Sequence, residues 1–180
     1  MLIRPARPDD IAAILPIYVE AVLHGTASFE IEPPDEAEML RRYLAITEAG
    51  FPYVVAVDAD RTLLGYAYAG PFRPRIAYRF TVENSVYVAP EAQKRGVGRA
   101  LMEAVIDGCA AKGCRQMVAV IGDSANAGSI ALHRACGFTD AGLLPATGFK
   151  FGRWIDTVLM QRPLGEGDSS PARDQNGPRA

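Results

Sequence analysis

Hydrophobic positions recur along the chain with two periods, and each period predicts one kind of element. Ile11, Leu15 and Val22 fall on one face of a helix, whereas Val86 and Val88 alternate with polar neighbours as in a half-buried strand. The pattern predicts strands over 2–6, 51–58, 63–69, 82–88, 115–121, 138–146 and 152–162, and helices over 9–23, 35–50, 96–112 and 126–135.

Residues at the predicted helix ends support these boundaries. Asp35 is suited to cap the second helix, and Glu38 three residues later completes a capping box. Gly113 is expected to end the third helix. Pro16 lies within the first helix and is expected to kink it, because proline lacks the N–H group that a helix interior requires.

The order of elements, β-α-α-β-β-β-α-β-α-β-β, predicts an α/β fold. Its sheet must be mixed, since neighbouring strands are joined both by short turns and by helical crossovers. With no linker or repeat, residues 1–163 read as one domain. From Gly165 the chain is polar and rich in Gly, Pro and Ser. Residues 164–180 are therefore expected to be a disordered tail.

Composition narrows the classes of partner. A net charge of −2 with a pI of about 5.7 provides no positive field for nucleic acid or an anionic membrane. No apolar run is long enough to span a bilayer, and the polar N-terminus does not resemble a secretory signal, so a cytoplasmic protein is expected. Three cysteines and two histidines show no metal-ligand spacing; reduced thiols and no metal site are expected.

The segment 86–99 combines an apolar strand, a short polar loop and a glycine-containing helix start. The first amides of a helix lack intrahelical partners and carry the positive end of its dipole, so they can bind an anion. Gly96 and Gly98 let a phosphate approach the backbone. Nearby positive charges come from Lys94, Arg95 and Arg99. A pyrophosphate group is the expected ligand.

Other pyrophosphate motifs match less well. The nucleotide-triphosphate loop GxxxxGK[ST] is absent from the sequence, and Leu101 occupies the position where the dinucleotide fingerprint needs its third glycine. Taken alone, the two glycines could also form an ordinary tight turn into a helix.

Two motifs together resemble the GCN5-related N-acetyltransferase (GNAT) family. Gln93-x-x-Gly96-x-Gly98 follows the strand, and the segment 126–138 reads N-x-x-S-x-x-L-H-x-x-x-G-F. The resemblance spans residues 2 to about 163 and implies the GNAT fold, a mixed central sheet with helices on both faces, and acetyl-CoA as co-substrate. The residues it implies for coenzyme A are Val86, Tyr87, Val88, Lys94, Arg95, Gly96, Val97, Gly98, Arg99, Asn126 and Ser129.

A narrower likeness concerns the segments 68–88 and 148–154, which are similar to the phosphinothricin and methionine-sulfoximine acetyltransferases. Phe72 stands where these enzymes commonly carry Trp, and Asn84 where some relatives have His, so no second base is assigned there. The likeness implies direct acetylation of the amino group of a small amino-acid analogue, with no covalent enzyme intermediate.

The same resemblance implies three catalytic groups. Glu83 is the expected general base, and the backbone amide of Val88 would polarise the thioester carbonyl. His133 stands where many relatives use Tyr to protonate the leaving thiolate. The alternatives are a Glu83 paired with Arg79 or Arg115, and a His133 that only packs or caps; the valine side chains belong to the core in either case.

Substrate contacts are expected before the catalytic strand. The guanidinium groups of Arg73 and Arg75 suit a carboxylate or phosphinate, and the resemblance also implies Tyr78, Phe29 and Glu83. A solvated basic loop is the alternative for the arginines, and simple packing for Phe29.

The hairpin at 150–154 is expected to support a homodimer, as is usual in the family. Two other functions remain open. One is acetylation of peptide or protein N-termini on the same scaffold, and the other is a non-catalytic acyl-CoA sensor. The acidic pI and the arginine loop favour a small anionic acceptor, and Glu83 favours catalysis over sensing.

Overall fold

The computed structural model describes residues 1–172, and a seven-stranded sheet forms its centre. The strands are β1 (Leu2–Pro5), β2 (Tyr53–Val57), β3 (Leu63–Pro71), β4 (Thr81–Val88), β5 (Gln116–Gly122), β6 (Thr139–Lys150) and β7 (Arg153–Pro163). The helices are α1 (Ile11–His24), α2 (Glu36–Glu48), α3 (Val97–Ala111) and α4 (Ala127–Ala135). Short 3₁₀ turns occupy Pro8–Asp10, Ile76–Tyr78 and Pro90–Ala92. The predicted order of elements is confirmed.

The strand order is β1-β2-β3-β4-β5-β7-β6, and β7 therefore lies between β5 and the edge strand β6. β4 and β5 run parallel, joined by α3 as a crossover, and the other described neighbours are antiparallel. The parallel pairing covers only three residues of each strand, from Thr81 opposite Gln116 to Glu83 opposite Val118. Beyond Glu83 the two strands diverge.

Helices cover both faces of the sheet, as expected from the family resemblance. On one face the side chain of Asn84 meets Met102 of α3 and His133 of α4. On the other face the ring of Tyr87 packs edge-to-face on Tyr18 of α1. Since side chains alternate along β4, these contacts assign α3 and α4 to one face and α1 to the other.

The local signals at helix ends are confirmed only in part. The carboxylate of Asp35 accepts a hydrogen bond from the N–H of Glu38 at 2.8 Å, as expected for an N-cap. The return bond of a capping box is replaced, because the Glu38 carboxylate binds Arg41 and Arg42 at 2.6 and 2.7 Å. Helix α1 runs through Pro16 and is preceded by a 3₁₀ turn.

Part of the segment expected to be a disordered tail packs against the sheet. Leu164 is buried, and its N–H donates to the carbonyl of Arg115 at 3.0 Å. The Arg115 guanidinium donates to the carbonyls of Gly167 and Ser170 at 2.7 and 2.9 Å. The prediction of disorder was therefore wrong for residues 164–170, because the largely buried guanidinium of Arg115 binds backbone carbonyls of this segment. Residues 173–180 lie outside the described part of the chain.

The cysteine side chains lie in the interior of the protein. The thiols of Cys109, Cys114 and Cys136 are free and buried. Among residues 1–172, no three His, Cys, Asp or Glu side chains are grouped as a metal site. No helix in this range is long and apolar enough to cross a bilayer.

Candidate active site

The divergence of β4 and β5 opens a cleft of about 430 Å³ beside the last paired residues. Its walls come from the loop after α1, from the diverging halves of β4 and β5, from one side of α4 and from β7. The lining residues are Ala27, Ser28, Phe29, Glu30, Glu83, Asn84, Ser85, Val86, Tyr87, Val120, Ile121, Gly122, Asn126, Ser129, His133 and Thr157. The cleft thus brings together residues that are up to 130 positions apart.

Backbone groups of β4 face this cleft where β5 has moved away. The N–H of Ala89 donates to Leu64 at 3.0 Å, and the carbonyl of Thr81 accepts from Phe72 at 3.2 Å, so odd-numbered residues of β4 bond to β3. Because the bonding direction alternates along a strand, Val86 and Val88 point their N–H and C=O groups to the opposite edge. These are the groups that a bound chain-like molecule can use.

The N-terminus of α3 follows β4 after the Pro90–Ala92 turn and presents unused amides. The first bond into this helix is from Ala100 N–H to Gly96 O at 3.1 Å. Among residues 1–172, no protein acceptor is found for the N–H groups of Val97, Gly98 and Arg99, and no side chain caps the helix. Such a helix start is an anion site.

Glycine is required at positions 96 and 98 of this helix start for two different structural reasons. Gly96 has φ = 79°, a left-handed conformation that a side chain would strain, and open space surrounds the position of its missing Cβ. At Gly98 a Cβ would lie 3.1 Å from Leu132 of α4, so this glycine permits close packing of the two helices. The expectation that both glycines clear space for a phosphate therefore fits Gly96 better than Gly98.

The cations near the helix start are also unequal. Lys94 and Arg95 are exposed on the turn before α3. Arg99 instead forms an exposed ion pair with Glu103 one helical turn later, at 2.8 Å. An anion at this helix start would therefore meet the free amides and the two cations of the turn.

Glu83 lies on the α1 face of β4 at the last paired position of the parallel strands. Its side chain is half-buried, and no hydrogen bond or ion pair to its carboxylate is found among residues 1–172. Burial raises the pKa of the Glu83 carboxyl above its usual value, and the positive charge of Arg73 partly opposes this. The alternative partner Arg115 is bound to residues 167–170, and Arg79 stacks on Phe80.

His133 lies on α4 across the cleft and is 3% exposed. Its Nδ1 is 2.7 Å from the carbonyl of Ser129, which can only accept, so Nδ1 carries a proton. Burial lowers the pKa of the imidazole, which favours the neutral ring. Nε2 is then an acceptor, 2.9 Å from the amide nitrogen of Asn84. In this arrangement His133 has no proton to give to a molecule in the cleft.

The loop 25–30 closes one side of the cleft and is tied to the sheet by Lys150 of β6. Lys150 is 4% exposed, and its ammonium group donates to the carbonyls of Gly25 and Ser28 at 2.9 and 2.8 Å. The ring of Phe29 fits against Gly122 and Gly148, where any Cβ would lie within 2.7 Å of it. The loop is therefore a fixed wall.

Comparison with known proteins adds to this geometry. A sequence model described as the acetyltransferase (GNAT) family matches residues 13–138. The chain belongs to this family. The unused amides of α3 and the diverging strands thus occur in a GNAT acetyltransferase, as the motifs indicated.

Individual relatives are similar over nearly the whole GNAT chain. A phosphinothricin N-acetyltransferase from Alcaligenes faecalis is 55% identical over 93% of this chain and 85% of its own. An L-methionine sulfoximine/L-methionine sulfone acetyltransferase from Pseudomonas paraeruginosa is 43% identical over 94% and 98%. The crystal structure of a phosphinothricin acetyltransferase from Sinorhizobium meliloti in complex with AcCoA matches with a TM-score of 0.94 and 51% identity, over 98% of this chain and 95% of that one.

The cleft of this GNAT chain contains several of the residues that the sequence singled out. These are Phe29, Glu83, Val86, Tyr87, Asn126, Ser129 and His133. Asn126 has a local role as well, because its side-chain oxygen accepts from the N–H of Ser129 at 3.1 Å and caps α4. The free amides at the start of α3 lie outside the cleft lining, beyond the C-terminal end of β4, whereas Glu83 lies near the N-terminal end of this strand.

Three predicted substrate residues lie outside the cleft lining. Arg73, Arg75 and Tyr78 are exposed on the loop between β3 and β4. The guanidinium of Arg73 packs on Phe72, 5.0 Å from the ring centre, and its charge acts on Glu83. Arg75 only begins the short turn that contains Tyr78. Of the two arginines, Arg73 is thus the one electrostatically coupled to the cleft.

Sequence reasoning missed several residues of the site. Residues 120–122 of β5 and Thr157 of β7 line the cleft, and Lys150 holds its wall. The apolar sequence around Val118 and Val120 predicts a buried strand, and it does not indicate that the edge of β5 facing β4 becomes unpaired beyond Val118. A lysine within the apolar stretch 148–151 was the available signal, since buried lysines are rare unless paired.

Proposed function

We propose that this chain transfers the acetyl group of acetyl-CoA to the amino group of a small amino-acid analogue of the phosphinothricin or methionine sulfone type. One observation carries the proposal: the structure combines two features along β4. The first is the start of α3 with its unused amides, and the second is a cleft that ends at the half-buried carboxylate of Glu83. One element suits a diphosphate, and the other suits deprotonation of an amine.

The residues of the chain fit coenzyme A along one continuous path. The amides of Val97, Gly98 and Arg99, with the charges of Lys94 and Arg95, are suited to its pyrophosphate. The outward-facing backbone groups of Val88 and Val86 are suited to hydrogen bonds with the amides of its pantetheine arm. Acetyl-CoA supplies an activated acetyl group as a thioester, and the protein holds that group beside Glu83.

Glu83 acts as the general base in this proposal, directly or through a water. An amino acid arrives largely as an ammonium ion, and the raised pKa of the Glu83 carboxyl brings its proton affinity closer to that of the amine. Of the two outward-facing N–H groups, that of Val86 lies two strand residues closer to Glu83 than that of Val88. We therefore assign the stabilisation of the negative charge on the carbonyl oxygen to Val86, and leave the N–H of Val88, expected for this role from the family resemblance, to the pantetheine arm. A C–N bond forms and the C–S bond breaks, without a covalent enzyme intermediate.

Two protons leave the nitrogen in this scheme. Glu83 takes the first from the ammonium ion before attack, and the second, released once the C–N bond has formed, goes to the departing sulfur. The hydrogen bonds of His133 commit its Nδ1 proton to Ser129 and its Nε2 lone pair to Asn84. We therefore assign His133 to the shape of the cleft and to the orientation of Asn84, and not to the acid step expected from the family resemblance.

The arginine loop favours an acceptor with an anionic group. We propose that Arg73 attracts the carboxylate or phosphinate of the acceptor, because its charge already acts on Glu83 at the cleft. Arg73→Ala is expected to raise KM for the acceptor about tenfold while KM for acetyl-CoA stays within twofold. Arg75→Ala, two residues further along the exposed loop, is the matched control; equal effects of both variants on both substrates would contradict this role.

Thiol release from acetyl-CoA tests the function as a whole. Phosphinothricin and methionine sulfone should each be acetylated with a kcat/KM at least about a hundredfold above that of a short peptide bearing a free N-terminus. Preference for the peptide would establish the protein-acetylating alternative. Binding of acetyl-CoA without turnover of any amine would establish a sensor.

We also propose a homodimer in the cytoplasm. The edge strand β6 and its hairpin expose five large apolar side chains, Leu143, Leu144, Phe149, Phe151 and Trp154. A long, apolar edge strand is rarely left open to water, and a second copy is the partner usual for such hairpins in this family. The three free thiols are compatible with a reducing compartment.

A further inference from the structure

Asn84 is a buried polar residue whose hydrogen-bonding capacity is only half used. It lies on β4, is 6% exposed and lines the cleft. Its amide nitrogen is 2.9 Å from Nε2 of His133 and 3.5 Å from the sulfur of Met102. Its amide oxygen is buried and has no hydrogen-bond partner within residues 1–172. A buried carbonyl oxygen without a donor is costly, so this oxygen calls for an explanation.

The neighbouring histidine determines which end of the Asn84 amide is unpaired. Nδ1 of His133 must donate, since the Ser129 carbonyl can only accept, and the buried ring is neutral. Nε2 therefore offers a lone pair, which only the NH₂ group of Asn84 can fill. Turning the amide over would place two acceptors together, and the unpaired atom is thus the oxygen.

The position of Asn84 indicates which donor can reach that oxygen. Asn84 is the first residue of β4 beyond the last pair with β5, at the narrow end of the cleft. Its side chain shares a face with those of Val86 and Val88, whereas Glu83 points to the other face. Four residues of strand, about 13 Å, separate Asn84 from Val88, beside the anion site. The thiol end of a coenzyme A anchored at α3 would lie at such a depth.

We propose that the side-chain oxygen of Asn84 accepts a hydrogen bond from the S–H group of coenzyme A, the product of the transfer. This inference rests on the proposed function. Neither a thioester sulfur nor a thiolate carries a hydrogen, so only the protonated thiol completes the hydrogen bonding of Asn84. The residue therefore favours protonation of the leaving sulfur by the proton lost from nitrogen, and it makes free coenzyme A bind more tightly than acetyl-CoA.

Calorimetric titration of the full chain with three ligands tests the proposal. Coenzyme A carries the donor, its S-methyl thioether lacks the donor and is larger, and desulfo-coenzyme A lacks it and is smaller. The wild-type chain should bind coenzyme A roughly threefold to tenfold more tightly than either analogue, as expected for one neutral hydrogen bond. Equal affinities for all three ligands in the wild-type chain would overturn the proposal without any variant.

Two substitutions separate the two ends of the amide. Asn84→Leu keeps the branched shape but removes both polar atoms, so the preference for coenzyme A should disappear while the S-methyl analogue binds within about twofold of wild type. Asn84→Asp keeps an acceptor oxygen towards the cleft, while its second oxygen faces Nε2 of His133 and requires a proton there. This variant should retain part of the preference, and complete loss of the preference in it would contradict the role of the oxygen. An equal loss for all ligands in Asn84→Leu would mean that the residue only packs. If none of the ligands bound the wild-type chain, the proposed function itself would fail.

Discussion

At the scale of single residues, Glu83 combines a raised proton affinity with a position at the end of the paired strands. Glu83→Gln is expected to lower kcat/KM at least about tenfold, because a general base contributes about 10² to 10⁴ in rate. Binding of acetyl-CoA should stay within about twofold of wild type, as measured by calorimetry.

The pH dependence of the same variant gives a second measurement. Activity needs ionised Glu83, so kcat/KM of the wild-type chain should fall as pH drops through the raised pKa of this carboxyl. This acidic limb should be missing from the Gln variant. Glu91→Gln, on the exposed turn before α3, is the matched control and should keep both rate and limb. A limb that survives in Glu83→Gln would remove Glu83 from the base role.

His133 links the cleft to stability, because burial lowers the pKa of its imidazole. The unfolded chain takes up a proton at His133 near pH 6.5, and the folded chain resists it until lower pH. Stability from this residue is therefore complete above that pH and declines below it. His133→Gln should be destabilised at neutral pH, but its urea midpoint should fall less between about pH 7.5 and about pH 5 than that of wild type.

The control for that experiment is His24→Gln, which replaces an exposed imidazole at the end of α1. It should reproduce the wild-type difference between the two midpoints. If His133→Gln retained the full wild-type difference, the buried neutral histidine would not be the source of the pH dependence.

At the scale of elements, Lys150 joins β6 to the loop 25–30, which carries Phe29 into the cleft. Lys150→Met keeps the length of the side chain but leaves two carbonyls of that loop without their donor. The variant is expected to raise KM for the acceptor at least about fivefold, with a smaller effect on KM for acetyl-CoA, because the loop forms the wall opposite the coenzyme path. Steady-state kinetics with both substrates varied would measure this difference.

Lys112→Met is a matched control for this clamp. The ammonium of Lys112 also donates to a backbone carbonyl, that of Ala49 at 2.9 Å, but on the surface and away from the cleft. Its kinetic constants should equal those of wild type. If Lys150→Met raised both KM values by the same factor and lowered the melting temperature, the result would indicate general destabilisation and not a role in the acceptor wall.

At the scale of the whole molecule, the exposed hairpin of β6 and β7 governs the proposed assembly. Phe149 and Trp154 form an edge-to-face pair with centres 5.2 Å apart, and Trp154 is 64% exposed. Trp154→Glu should convert a dimer into a monomer in sedimentation velocity, because a buried, unpaired carboxylate opposes association. Leu44→Glu, at an exposed leucine of α2, should remain a dimer. A wild-type chain that sediments as a monomer would end this proposal.

Much of the fold follows from local patterns in the sequence. Alternation in β4, the cap at Asp35 and the turn at Gly113 each depend on a few neighbouring residues, and the element order was predicted from them. Boundaries moved where pairing extended an element, as in β3, which continues to Pro71 opposite Val82. The order of β7 between β5 and β6 depends on pairings across the sheet, which no local pattern encodes.

By itself the sequence determined the kind of site: a glycine-containing helix start for a diphosphate, a glutamate before it, and the family that combines them. Only the tertiary structure decided how the individual side chains are used. It turned Arg115 towards residues 164–170 and placed Nε2 of His133 against the side chain of Asn84, 49 positions away. The physical reason is that proton positions and ion pairs depend on burial and on partners distant in sequence, whereas helix starts and strand alternation depend on neighbours along the chain.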